Sequence, residues 1–392
     1  MSAPRIAIVA THPIQYYAPV FRTLTERGRV NVRVFYGWAG GSQGATFDPG
    51  FGQSVEWDIP LLDGYDYTFL PNESTEPGTH HFSGIWSEKL VPSIADWSPD
   101  ALMVYGWNYR SHLRVLRAFH GRVPILFRGD SNLLDIPWSR RVSRYLMLRW
   151  IYRHVDLALY VGSRNREYYE RYGLRGDKLQ WAPHAVENRR FSDPDGSIQQ
   201  RARDWRVRLG IPRRDLVFAY AGKLERKKAP DLLLDVFMER DRPGQHLVIA
   251  GSGELESQLR AKAGSRTNIH FLGFQNQSSM AVVYRLADVF VMPSRGPNET
   301  WGLAVNEAMA SERPVIACDR VGCSVDLVLD GKTGFTFQRD DAAGLNRSLT
   351  MLAKDAELRA NMAQAAKTLI AQWTIEEQAA RIEAAVESVL DR

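Results

Sequence analysis

Short apolar runs, several of them closed by a glycine or a Pro-Ser pair, alternate with stretches of helical spacing along this whole chain. RIAIVA (5–10), VNVRVFYG (30–37), ALMVYG (101–106), PILFRG (124–129) and LALYVG (157–162) read as strands of the first half. LVFAYAG (216–222), HLVIAGSG (246–253), IHFLGF (269–274), VFVMPS (289–294) and PVIACD (314–319) read as strands of the second. Near-continuous apolar strands are those of a parallel sheet buried on both faces, and such a sheet needs helical crossovers. Residues 16–27, 230–239, 255–263 and 303–310 carry the apolar spacing of amphipathic helices. The pattern predicts an α/β chain of two doubly wound sheets, and open sheets of this kind take ligands at the carboxyl ends of their strands.

Length and composition agree with two cores. At roughly 100–200 residues per domain, 392 residues suit two domains. The chain is 44% hydrophobic and 24% charged, which excludes a wholly disordered polymer. Two cysteines, Cys318 and Cys323, exclude a disulfide scaffold, disfavour a four-ligand zinc site and fit a reducing compartment. The opening MSAPRIAIVA reads as a first strand rather than a signal peptide, and no run approaches the ~20 apolar residues of a membrane span. A cytoplasmic protein is expected, with the inner face of the plasma membrane as an alternative location. The net charge of +5 belongs to residues 1–190, which hold 23 Lys and Arg against 18 Asp and Glu. No nucleic-acid recognition motif accompanies it, so a nucleic-acid partner is not expected.

The richest stretch is PSRGPNETWGLAVNEAMASERPVIACD (293–319). A strand ends at Pro293-Ser294, and after a loop containing Glu299 a helix starts near Gly302-Leu303, with Glu307 about one turn in. A helix N-terminus behind a glycine has free N–H groups and the positive end of the dipole, which suits phosphate. Carboxylates repel phosphate but bind hydroxyls well. The pattern therefore suits a ligand with phosphates in the middle and a polyol at each end. GKLERKKAPDLL (222–233) leaves a strand at Gly222 and sets Lys223 and Lys228 at the top of the sheet, where two ammonium groups would neutralise a departing diphosphate without a metal. Lys227 reads as a surface residue.

On these residues the chain resembles the retaining GT-B-fold glycosyltransferases of family four. Their Glu-x7-Glu motif falls on Glu299 and Glu307, and their Gly-Arg/Lys-Leu-x3-Lys motif on Gly222, Lys223, Leu224 and Lys228. AGSGELESQL, FLGFQNQSSMAVVYRLADVFVMPS and VGCSVDLVLDGKTGFTF follow in the family's order. The resemblance implies two Rossmann-like domains facing a cleft that closes on the donor, with a C-terminal helix crossing back to the first domain. The boundaries expected are 1–191 for an acceptor-binding domain, 192–213 for a linker with a short surface helix, 214–373 for a nucleotide-sugar domain and 374–392 for the crossing helix.

The resemblance also implies roles. Glu299 would face the transferred sugar, Glu307 the ribose hydroxyls, and Lys223 and Lys228 the departing diphosphate. Gly222, Thr300 and the backbone of Trp301, Gly302 and Leu303 would complete the donor site. The co-substrate would be a UDP or GDP sugar, with no bound metal or other cofactor. The acceptor would be a glycan or a lipid-linked or other hydroxyl compound of bacterial surface polysaccharide synthesis. A sugar-nucleotide epimerase of the same fold and a non-catalytic nucleotide-sugar-binding scaffold are the competing readings.

The first half matches less closely. Where relatives carry a glycine-rich loop this chain has THPIQYYAP (11–19), resembling a subgroup with a His-Pro-Ile-Gln-Tyr start, so His12 and Gln15 would take over glycine contacts. Beside a catalytic or cleft role, His12 has the alternative of capping the following helix. Trp107, Asn108, Arg128 and Asp130 follow strands and are either acceptor contacts or packing, Arg128 and Asp130 as a structural ion pair. In PHAVENRRF (183–191), His184 and Asn188 read as packing. Asp193-Pro-Asp195 resembles a metal-binding Asp-x-Asp but lies in a polar linker, which argues against that role. The segment from Trp138 to Arg153 mixes arginine with aromatic and aliphatic residues. It either packs on the first sheet or also touches an anionic membrane.

Overall fold

The computed structural model describes residues 3–392 except 40, 41, 43, 135, 137, 138, 140 and 298. In chain order the strands are β1 (Arg5–Ala10), β2 (Asn31–Tyr36), β3 (Thr46–Asp48), β4 (Gln53–Val55), β5 (Asp66–Phe69), β6 (Ala101–Tyr105), β7 (Ile125–Arg128), β8 (Leu157–Tyr160) and β9 (Leu179–Trp181). They are followed by β10 (Leu216–Ala221), β11 (Gln245–Ala250), β12 (Ile269–Gly273), β13 (Val289–Met292), β14 (Val315–Cys318) and β15 (Gly334–Phe337).

Two compact units result: Met1–Ala45, Ile59–His184 and Ile375–Arg392 form the first, Thr46–Asp58 and Ala185–Thr374 the second. The first holds a seven-stranded sheet of order β5-β2-β1-β6-β7-β8-β9, every neighbouring pair parallel. Its central strands are buried along their length, as their unbroken apolar sequences require. The helix Ala18–Arg27 starts with proline in its first turn and ends at Gly28, whose left-handed backbone closes the last turn. The C-terminal helix Ile375–Leu390 packs on it, and the 1% exposed Glu383 accepts a two-pronged ion pair from Arg27 at 2.8–3.0 Å.

The second unit holds a six-stranded parallel sheet of order β12-β11-β10-β13-β14-β15. In both sheets the order runs outward from the first strand of the unit and then reverses, which is the doubly wound arrangement. The reversal falls between β1 and β6 in one unit and between β10 and β13 in the other.

Two segments depart from the sequence-based boundaries. Residues 192–213 hold the expected surface helix, Ser197–Arg208, but belong to the second unit: the helix packs on the helix Gln277–Leu286, burying Ala202 with Val282 and Leu286. Residues 46–58, which lie in sequence between β2 and β5, form the antiparallel hairpin β3–β4 and belong to the second unit.

Candidate active site

At the reversal point of the second sheet, β10 runs into Gly222-Lys223 and β13 into Pro293-Ser294. The chain can turn sharply there because Gly222 and Gly251 have φ of 152° and 138°, and a Cβ on Gly251 would overlap the Gly222 carbonyl. Two backbones therefore meet face to face under any ligand approaching the strand ends.

Several paired side chains gather beyond these strand ends. Lys228, from the short helical turn Arg226–Lys228, contacts Glu299 Oε2 at 2.5 Å. The buried Ser294 hydroxyl donates to the same oxygen at 2.7 Å. Arg295 ties the two loops together, its backbone N–H donating to the Lys227 carbonyl and its guanidinium pairing with Asp231. Lys223 Nζ donates to Asp48 Oδ1 at 2.7 Å and Oδ2 at 3.0 Å, and lies 4.9 Å from the Phe51 ring. Burial alone would raise the Asp48 pKa, but the Lys223 ammonium and the N–H groups of Gly50 and Phe51 outweigh it and hold the carboxyl below its usual range.

The helix Leu303–Ala310 begins behind Gly302 with no side-chain cap, so its first N–H groups have the geometry that receives an oxyanion. Trp301 and Gly302 are buried, Thr300 and Leu303 half-buried. The Trp301 ring faces inward, its Nε1–H donating to Asn306 at 2.9 Å, so only its backbone is placed for a ligand. Glu307 is 3% exposed, and the Tyr284 hydroxyl donates to its Oε2 at 2.7 Å.

The first unit gathers His12, Gln15, Trp107 and Asn108 after β1 and β6, at its own reversal point. His12 has Nδ1 2.9 Å from the Thr11 hydroxyl and lies 5.5 Å from the Trp38 ring. Burial lowers its pKa to about 4, so at neutral pH the ring is a neutral hydrogen-bonding group. Gln15 is half-buried, Asn108 is exposed, and Trp107 packs against the core of its unit. Arg128 is 2% exposed and donates to the carbonyls of Ala182 and Pro183 at 2.9 Å each, which favours its packing alternative over an acceptor contact, although its partners are these carbonyls and not Asp130. Asp130 is half-buried and, after burial itself, is the largest influence raising the Tyr17 pKa. Asn188 donates to the Ile370 and Trp373 carbonyls. Asp193 and Asp195 accept N–H groups of Ser197, Ile198 and Gln199, so both carboxylates cap the start of a helix.

Three residues that the sequence reading gave no site role contact these side chains: Ser294, Tyr284 and Asp48. The Pro-Ser strand end pointed to Ser294. Tyr284 sits inside an ordinary helix, and Asp48 lies 175 residues from its partner, so neither carried a local signal.

A family model, glycosyl transferases group 1, matches residues 202–369. D-inositol 3-phosphate glycosyltransferase of Streptomyces avermitilis is 37% identical over 191 residues, 45% of this chain and 39% of that protein. Sulfoquinovosyl transferase of Arabidopsis thaliana is 27% identical over 299 residues, 72% of this chain and 55% of that protein. The matched stretch thus spans about half or less of these relatives. Among solved structures, Anabaena HepE in complex with UDP and glucose superposes with a TM-score of 0.74 at 16% identity, covering 98% of this chain and 100% of HepE. The lipopolysaccharide glycosyltransferase WaaG gives 0.67 at 15% identity, covering 97% and 99%. Residues 202–369 are thus similar to glycosyl transferases group 1, and the chain has the GT-B fold of these structures.

Proposed function

We propose that the chain transfers a sugar, with retention of anomeric configuration, from a UDP or GDP sugar to a hydroxyl of a glycan, a lipid-linked sugar or a phosphorylated polyol. The observation that carries this is the meeting of Lys223, Lys228, Glu299 and an uncapped helix N-terminus at one sheet reversal. In the step, the bond between the anomeric carbon and the diphosphate oxygen breaks and its electron pair stays on that oxygen. Lys223, Lys228 and the first N–H groups of Leu303–Ala310 stabilise the charge. The acceptor oxygen bonds to the anomeric carbon from the same face, and its proton passes to the departing phosphate. The ammonium groups supply the positive charge that a metal supplies elsewhere. Glu299, held by Lys228 and Ser294, is set to accept hydroxyls of the transferred sugar, and Glu307 those of the ribose.

The acceptor class rests on the names of the relatives, and neutral His12, Gln15 and Asn108 are the first unit's candidates to hold it. Membrane contact is part of the same reading. On the helix Arg141–Tyr152, Val142, Leu146, Met147 and Trp150 are exposed beside Arg141, Arg149 and Arg153, while Trp138 lies outside the described residues. Among the described residues no helix is long and apolar enough to cross a membrane. Sedimentation with anionic vesicles at low salt tests the contact.

The donor site is tested by thermal shift with UDP, GDP, ADP and their sugars, with EDTA throughout. A ligand at 100 times its Kd stabilises by about 2.7 kcal/mol, so one nucleotide should raise Tm clearly. No shift with any of them would count against the reading. NMR of the anomeric centre of the product then tests retention.

A further inference from the structure

Each of the two lysines is paired with a carboxylate. Asp48 neutralises Lys223 and Glu299 neutralises Lys228, so two ammonium groups face two carboxylates. A diphosphate brought to Lys223 meets the Asp48 carboxylate in the same shell, and like charges at such distances repel strongly where solvent is partly excluded. The two carboxylates are not held alike. Glu299 is also fixed by the buried Ser294 hydroxyl and has a side chain only 9% exposed. Asp48 is 28% exposed, at the end of a three-residue strand in a two-stranded hairpin, an element of marginal stability by itself.

That hairpin is held by a few contacts. The Ser252 hydroxyl donates to the Phe51 carbonyl at 2.9 Å, and Phe51 meets Phe274 edge-on at 4.9 Å. At the far end, Asn276 donates to the Glu56 carbonyl, and the Ser278 backbone and hydroxyl donate to Asp58. Its turn sits against the lysine: a Cβ on Gly50 would lie 2.6 Å from Lys223 Nζ and Cδ, and the Gly50 carbonyl is 3.0 Å from where a Gly253 Cβ would be. The surface kept free of side chains by Gly251 and Gly253 is thus partly covered by a carboxylate-bearing turn.

We propose that Asp48 is a built-in competitor of the donor diphosphate for Lys223, the hairpin holding the site until a nucleoside diphosphate displaces the carboxylate. This rests on the reading of Lys223 as a diphosphate ligand. The carboxylate mimics a phosphate oxygen, and its release leaves Lys223 free at the moment the donor arrives.

The test is calorimetry of UDP and GDP, with uridine and guanosine as uncharged probes, on the full chain and on Asp48→Asn, Asp58→Asn and Lys223→Ala. Asp48→Asn should bind the matching diphosphate about tenfold tighter and the nucleoside unchanged. Asp58→Asn loosens the hairpin at its far end while keeping Asp48, and should tighten binding by a smaller factor. If Lys223→Ala weakens the diphosphate but Asp48→Asn weakens it too or leaves it unchanged, the competitor falls and the donor site stands. If no nucleotide binds the wild type, or Lys223→Ala changes nothing, the donor reading falls and takes this proposal with it.

Discussion

Glu307 is 3% exposed and accepts a hydrogen bond from Tyr284, so removing its side chain and removing its charge are different experiments. Glu307→Ala leaves the Tyr284 hydroxyl without this acceptor in a packed interior, which costs about 1–3 kcal/mol of stability. Glu307→Gln keeps an oxygen for Tyr284 and removes only the negative charge. Its melting temperature should stay close to the wild type, while calorimetry should show UDP or GDP binding weakened about tenfold, within the range for a hydrogen bond to a charged group. Wild-type affinity in this variant would remove Glu307 from ribose recognition. Lys228→Ala is the complementary case. It leaves Glu299 with the Ser294 hydroxyl and, on the proposed reading, takes one cation from the leaving group, so kcat should fall about 10²–10³-fold with little change in donor KM. A fall confined to KM would assign Lys228 to ground-state binding instead. The positions of Glu299, Glu307, Lys223 and Lys228 beside strand and helix ends were legible because each sits in a local spacing. The contacts of Asp48 and Tyr284 with them were not, since only the folded chain makes them. Arg128 followed a strand as a cleft residue would, yet its burial against two carbonyls is decided by the β9 exit, which its own neighbours do not encode.

Gly302 shows what an element needs in order to present its end. Its φ of 100° disfavours any L side chain, and a Cβ there would lie 2.6 Å from Val321 Cγ1 and 3.2 Å from Met292. Gly28, which ends the helix Ala18–Arg27, is also left-handed, with φ of 65°, but has no atom within 4 Å of a Cβ. Gly28→Ala should therefore cost about 1 kcal/mol for backbone strain alone. Gly302→Ala should cost about 2–4 kcal/mol, because overpacking adds to strain, and should also weaken diphosphate binding by moving the helix start. Urea unfolding of the two variants separates the terms, and equal midpoints would mean that the Val321 contact relaxes freely. The same contrast between packed and open positions governs how far the elements were readable. Buried strands such as β1, β6 and β10 are continuous apolar runs. β5, β9 and β15 were passed over because DYTF, LQW and GFTF are partly exposed and mixed in polarity. The hairpin β3–β4, with TFD and QSV, has almost no apolar pattern and is held by contacts with the loops after β11 and β12.

Over the whole molecule, buried histidines set the acid side of the stability curve. Burial lowers the pKa of His12, His112 and His270 to about 4 each, His270 with the neighbouring His246 adding to the effect, and lowers those of His154 and His184 as well. In the unfolded chain these rings protonate near 6.5. Between pH 6.5 and 4 the unfolded state therefore binds more protons than the folded one, and stability must fall as pH falls through that window. Above 6.5 the rings are neutral in both states and contribute no slope. His112 gives the scale: it is 1% exposed, with Nδ1 at 3.0 Å from the Tyr105 carbonyl, and a displacement from 6.5 to about 4 corresponds to about 3 kcal/mol at full protonation. Asp48 acts in the same direction but later, because its carboxyl is held below the usual range and its ion pair with Lys223 persists until lower pH. Urea unfolding should thus show a plateau above pH 6.5 and a loss of several kcal/mol by pH 4.5. The slope should be shallower in His112→Gln than in the wild type if that variant folds, and shallower in His270→Gln as an independent check. A curve flat to pH 4.5 would mean that water reaches these rings in the folded chain.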